Sequence, residues 1–206
     1  MNVCVVGNGP SAIKKKNAKF IDQCDRVIRM GNFQTDGYSK YIGSKTDIYI
    51  SRWKKLEGNF DRVSNLDVWL AYPSPPHDWC SHYSREESIY RNSLAIRGLD
   101  ITYIPTQIQT LYKTIYKPYN NVFARSSDKR CGFNIPDTGM VAIDMAKFIY
   151  TEAKIFVTGI DGYFLESDYY YNRGVQINID YTNESPLLQQ FIRFNRLVAR
   201  QEIFIL

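Results

Sequence analysis

The chain has 206 residues, 44% of them hydrophobic and 23% charged, with a formal net charge of +5. That length suits one α/β domain with its own core, and the supply of aliphatic and aromatic residues excludes wholesale disorder. The positive excess fits an anionic small molecule or an acidic membrane surface and is too diffuse for a nucleic-acid interface. Tyrosine is over-used, 16 copies against 2 histidines, and many fall in loops, a composition typical of binding surfaces. Cys4, Cys24, Cys80 and Cys131 show neither CxxC spacing nor a compact framework and read as reduced thiols of a cytosolic protein. No run reaches the length of a membrane span, and the first residues read as a folded strand rather than a signal peptide.

The elements alternate. Residues 3–6 (Val3-Cys4-Val5-Val6) read as a buried strand that stops at Gly7. Residues 11–23 then carry a short helix, with Pro10 at its first turn, and after it a linker. A strand over 24–30, a loop over 31–43 and a strand over 46–51 come next. A helix is expected around 54–63, a strand over 67–71 and a helix over 84–97. Then come a strand over 101–104, a helix over 106–116 and a polar, basic loop over 118–135. A helix starts at Thr138, marked by an N-cap residue and by the apolar positions Met140, Ile143, Ala146, Phe148 and Ile149. A strand over 154–158 ends at Gly159, a tyrosine-rich segment runs to about 184, and a helix over 186–199 leads into a last strand over 203–206. This order implies one α/β domain over 1–206, with a mostly parallel sheet of about seven strands and helices on both faces. Ligands are then expected at the carboxyl ends of the strands.

The first turn, Gly7-Asn8-Gly9, invites a phosphate. It carries no side chain at Gly7 or Gly9 to keep an anion from its amides, and the following helix would point its positive end there. Gly7-x-Gly9-x-x-Ala12 also fits the dinucleotide fingerprint, but the second strand ends in Arg29-Met30 where that pattern wants an acid for the ribose. An NADP- or flavin-linked oxidoreductase stays open, because Arg29 could meet a 2′-phosphate; so does a plain tight turn. His77, Cys80 and His82 have the composition of a metal cluster but lack a fourth ligand, so no metal is expected. Arg125, Lys129, Arg130 and Arg173 suit an acidic glycan or anionic lipid, or form a solvated basic loop.

Several segments together resemble the sialyltransferases. Val27-Ile28-Arg29-Met30, followed by Thr35-x-Gly37-Tyr38 and Ile42-Gly43-Ser44-Lys45-Thr46, looks like the large sialyl motif of family 29. Gly7 through Ser11 is identical to the Gly-Asn-Gly-Pro-Ser opening of the bacterial relatives in family 42. Pro136-x-Thr138-Gly139 resembles the small sialyl motif, and Gly159-Ile160-Asp161-x-Tyr163 the Gly-Ile-Asp-Phe-Tyr segment of family 42.

The resemblance implies a Rossmann-like fold of the glycosyltransferase type and a metal-independent, inverting transferase that moves sialic acid, or a related nonulosonic acid, from a CMP-activated donor to a glycan or glycolipid acceptor. No cofactor is implied beyond the CMP-sugar. The sequence agrees in containing no Asp-x-Asp pair. By position, Gly7, Asn8, Gly9, Ser11, Asn32, Thr138, Gly139 and Asp161 fall in the donor-binding segments, and Tyr163 and Tyr169 match tyrosines that donate to the leaving phosphate. Asn32 stands one place later than the family's Asn, with Gly31 between. Both families carry a His base after the small motif, yet this chain has no His after residue 82. Glu184, with Asp180 behind it, is the nominated base; a first-turn acid just before Pro186 is the alternative. The segment 162–184 would close as a lid. Cys4 sits one place off the family's large-motif cysteine and none lies near 150, which fits a cytoplasmic enzyme, peripheral to a membrane at most. Without the His, a catalytically silent nucleotide-binding protein is the other alternative.

Overall fold

The structure, a computed structural model, describes residues 1–51, 63, 65–73, 101–115, 136–161 and 186–206. The strands are β1 (Asn2–Val6), β2 (Arg26–Met30), β3 (Ile48–Ser51), β4 (Asp67–Pro73), β5 (Ile101–Ile104), β6 (Lys154–Thr158) and β7 (Phe204–Ile205). They form one sheet in the order β5-β4-β3-β2-β1-β6-β7, and every pair is parallel. The helices are α1 (Ala18–Gln23), α2 (Ser39–Ile42), α3 (Thr106–Ile115), α4 (Thr138–Ile149) and α5 (Pro186–Ala199). The expected helices at 54–63 and 84–97 and the loop at 118–135 fall outside the described residues, Val63 apart. None of the helices described is long and apolar enough to cross a membrane.

β1 is central, and its alternation explains the two layers. Val3 and Val5 join the core under α4, with Ile28, Ile50 and Val157 of the neighbouring strands. Cys4 and Val6 face the other way, onto Ala12, Ile21, Cys24 and Ile42 of the segment carrying α1 and α2. Both faces are covered, so the strand reads as a continuous apolar run. α4 is buried without interruption from Gly139 to Ala146. It packs on the sheet with α3 beside it and α5 against its far side, so polar positions are almost absent from its sequence.

One element differs from expectation. Instead of a short helix and then a linker over 11–23, Pro10–Ile13 makes a single 3₁₀ turn, and the α-helix, α1, comes later, where the linker was expected, beginning at Ala18. The backbone between them is drawn off by another contact: the Asn17 amide donates to the carbonyl of Tyr41 at 3.0 Å. Three consecutive exposed lysines, Lys14 to Lys16, occupy the gap.

Candidate functional site

From β1 the chain builds the sheet in one direction through β5, then crosses back to lay β6 on the other side of β1. The switch point of the topology is therefore the gap between the carboxyl ends of β1 and β6, where open α/β sheets take their ligands. The turns that leave these strands, 7–9 and 159–161, are in direct contact.

Their contact gives the glycines a reason different from the expected one. The Gly7 amide donates to the carbonyl of Thr158 and the Gly9 amide to that of Gly159, both at 2.8 Å. A Cβ on Gly7 would lie 2.1 Å from the Gly159 carbonyl oxygen, and one on Gly9 would lie 2.4 Å from Asp161 Oδ2. Gly159 itself has a φ of +69°. The glycines allow two backbones to touch, and their amides serve that contact rather than an anion. A 3₁₀ turn of four residues likewise offers little dipole, so the expected helix-end site at Pro10 is corrected: what the turn presents is a side chain.

That side chain is Asn8, 8% exposed. Its Nδ2 donates to the carbonyl of Met30 at 3.0 Å, tying the turn to the end of β2. The opposite amide orientation would set two acceptors against each other, so the assignment is fixed by chemistry. Oδ1 is buried and has no hydrogen-bond partner among the described residues. A buried acceptor left unmet destabilises the fold by about 1–3 kcal/mol, so a donor group on a ligand would be rewarded here.

Ser11 and Asp161 lock the two turns together. The Ser11 amide donates to Asp161 Oδ2 at 2.9 Å, the Ser11 hydroxyl to Oδ1, and the Gly159 amide to the Ser11 hydroxyl at 3.1 Å. Both residues thus position the site. Ile160 then reaches α4. Its Cδ1 lies 2.9 Å from where a Cβ would stand on Gly7 and 2.6 Å from the same point on Gly139. One isoleucine wedge therefore brings the first turn and the amino end of α4 together.

α4 starts at Thr138 as expected, but its cap is Asp137, whose Oδ1 accepts from the Met140 amide at 2.7 Å. Its charge opposes the positive helix end within the first turn, leaving Thr138 and Gly139 as the groups offered beyond it. The Asp137 amide donates to Gln190 Oε1 on α5 at 2.9 Å. A small cavity of about 40 Å3 lies between Asp137, Ile160, Asp161 and Gln190. Neither Asp137 nor Gln190 was expected: the aspartate before an apolar helical run is a readable cap signal, whereas nothing local marks Gln190.

Asn32 lies just beyond β2, exposed, after Gly31 turns the chain with a φ of +56°. Arg29 is fully buried and bound elsewhere. Its Nε donates to the Lys45 carbonyl (3.0 Å) and Thr46 Oγ1 (3.1 Å), and one terminal nitrogen donates to the Ile42 carbonyl (2.7 Å). It cannot reach a 2′-phosphate, which removes the NADP argument and shows Arg29 to be the strut of the 42–46 segment. Tyr163, Tyr169, Asp180, Glu184, Arg173, the 125–130 cations and the His77-Cys80-His82 group lie outside the described residues.

The family model of glycosyltransferase family 29 (sialyltransferase) matches residues 1–192. The chain belongs to that family. As a member of family 29 it is a glycosyltransferase of the sialic acid-transferring kind, acting between a sugar donor and a glycan acceptor. No curated protein matches the family 29 chain. Among solved structures, a mammalian sialyltransferase in complex with Gal-beta-1-3GalNAc-ortho-nitrophenol is 17% identical, with a TM-score of 0.60 over 100% of this chain and 68% of its own. A second structure of a mammalian sialyltransferase is 16% identical, with a TM-score of 0.61 over the same shares. These likenesses show that the family 29 chain shares their fold. An alpha-2,3-sialyltransferase from Campylobacter jejuni in apo form is 16% identical, with a TM-score of 0.44 over 96% of this chain and 94% of its own.

Proposed function

We propose that this chain transfers sialic acid, or a related nonulosonic acid, from a CMP-activated donor to a glycan acceptor, by single displacement with inversion and without a metal ion. The observation that carries the reading is Asn8, fixed to Met30 by one end of its amide and presenting an unpartnered acceptor at the switch point. Such an acceptor suits a hydroxyl or amino group of a nucleotide. Asn32, beside it at the end of β2, and Thr138 and Gly139, joined to it through Ile160, complete the donor-binding set.

In the displacement, the acceptor hydroxyl attacks the anomeric carbon, the bond from that carbon to the phosphate oxygen breaks, and CMP leaves. Glu184 takes the hydroxyl proton. Tyr163 and Tyr169 donate to the phosphate as it gains charge. The chain contains no Asp-x-Asp pair of the sort that would bring a divalent cation to the phosphates, which supports assigning this work to neutral donors.

Calorimetry tests the reading. CMP is expected to bind, and Asn8→Ala to weaken it about tenfold, the loss of one buried hydrogen bond. Transfer is expected to persist in excess chelator and to fall steeply in Glu184→Gln and Tyr163→Phe. Binding of NADP with no binding of CMP would overturn the proposal. So would transfer rates unchanged in both variants.

A further inference from the structure

The helical layer over one face of the sheet has an opening of its own. A cavity of about 780 Å3 lies between α3 and α5, floored by α4. That volume is ample for a small molecule or for part of a lipid. Its floor is rigid: buried Asp144 accepts from the Tyr112 hydroxyl at 2.9 Å and from the two terminal nitrogens of Arg193 at 2.6 and 2.5 Å. This pair ties α3, α4 and α5 together, so the opening is not a gap that the helices close by sliding.

The lining is cationic and apolar at once. Lys147, Arg193, Arg196 and Arg200 face two carboxylates, Asp144 and Glu202. Both carboxylates are engaged, Asp144 with Arg193 and Glu202 with Lys147. Among the described residues no carboxylate lies within ion-pair distance of Arg196. The Arg200 side chain is 74% exposed, 3.9 Å from Glu202. Ile192 and Arg196 lie on one ridge of α5, and Arg200 follows at the same four-residue spacing just past the last residue of the helix. Along the lips, Leu111 is left 38%, Phe148 41% and Ile192 41% exposed. Apolar side chains grouped beside Arg196 and the loosely paired, largely exposed Arg200 are the pattern of a surface that enters the headgroup region of a bilayer, where cations meet phosphate and the apolar tips reach the acyl boundary.

We propose that the groove between α3 and α5 docks this protein on membranes that carry acidic phospholipid. Lipid phosphates lie against Arg196 and Arg200, and Leu111, Phe148 and Ile192 insert at the interface.

Co-sedimentation of the full chain with vesicles tests this. Phosphatidylglycerol–phosphatidylcholine vesicles are expected to bind it at physiological salt, phosphatidylcholine vesicles are not, and added salt is expected to release it. Arg196→Gln with Arg200→Gln is expected to weaken binding about 30-fold, each basic residue near an anionic surface being worth about fivefold. Phe148→Ala is expected to weaken it several-fold. Lys14→Gln, Lys15→Gln and Lys16→Gln together, on the opposite face, leave it within about twofold. The exposed arginines are not packing groups, and melting curves verify that the variants fold. Absence of binding, equal binding by the arginine double variant, or an equal loss in the triple lysine variant would overturn the proposal. Self-association through the groove without vesicle binding would also overturn it, in favour of a second copy as occupant.

Discussion

Replacing Gly7 by alanine tests the claim that the site exists because two backbones touch. The new Cβ would stand 2.1 Å from the Gly159 oxygen and 2.6 Å from its carbonyl carbon, where ordinary contact begins at 3.4 Å. Backbone atoms cannot swing aside as a side chain tip does, so the turns must separate by about 1 Å. The hydrogen bonds from Gly7 to Thr158 and from Gly9 to Gly159, both 2.8 Å, are then lost. Two buried bonds at about 1 kcal/mol each, with overpacking of about 1–3 kcal/mol, give about 3–5 kcal/mol. At about 2–4 °C per kcal/mol for a domain of this size, Tm falls by about 10 °C in calorimetry. Gly37→Ala is the control: its φ is +78°, but no atom lies within 4 Å of the added Cβ. Only the left-handed backbone is strained there, about 1–2 kcal/mol and a few degrees. A Gly7→Ala protein melting within about 3 °C of the parent, or no more labile than Gly37→Ala, would refute the reasoning.

Four further outcomes follow from described contacts. Arg29→Lys keeps the charge but loses the fork that serves the carbonyls of Ile42 and Lys45 and the Thr46 hydroxyl; thermal denaturation should show a loss of about 2–3 kcal/mol. Arg193→Met strands the buried Asp144 carboxylate and should destabilise by about 3–5 kcal/mol in urea titration, while replacing both partners by leucine should cost about half of that or less. Burial pushes the Asp144 carboxyl above its usual 3.8, with Arg193 and then Tyr112 pulling it back. The native state therefore holds that proton more strongly than the unfolded chain, a contribution complete below about pH 3.8 and lost as pH rises through the raised value. Melting curves should accordingly show Asp144→Asn gaining on the parent as pH rises above about 4, and the opposite trend would show that the Arg193 pair outweighs burial. Asp161→Asn keeps the shape but turns an NH2 toward one of the Ser11 donors, which now shares no acceptor there; Tm should drop by about 3–6 °C, read by circular dichroism.

Most of the architecture was legible because each strand announces itself locally. Val3 to Val6 and Lys154 to Thr158 are short β-branched runs closed by glycine, and α4 shows its apolar length and its start at Thr138. What escaped reading depends on partners far away in the chain. A short helix after Gly9 was reasonable from Pro10, but only a 3₁₀ turn forms there, and α1 follows where a linker was expected, once the Asn17 amide has answered to Tyr41. The glycines looked shaped for an anion, when the carbonyl of Gly159 already fills that approach. Arg29 looked able to reach a ligand because nothing in its neighbours shows that the carbonyls of residues 42–45 curl back over it. Asn8, Thr138 and Gly139 were found through motif resemblance, and it is Ile160, an unremarkable aliphatic in that reading, that brings them to one place.

The lock between Ser11 and Asp161 joins positions 150 residues apart. About three quarters of the polypeptide must therefore leave the ribosome before the opening turn meets its mate. Five of the seven strands, β1 through β5, can assemble earlier, but they do so with β1 as a bare edge and its turn held to β2 alone, through Asn8 and Met30. The second anchor of that turn is thus gained late and in one step, when β6 docks, and a chain cut short before that strand has most of a core with its switch point open on one side.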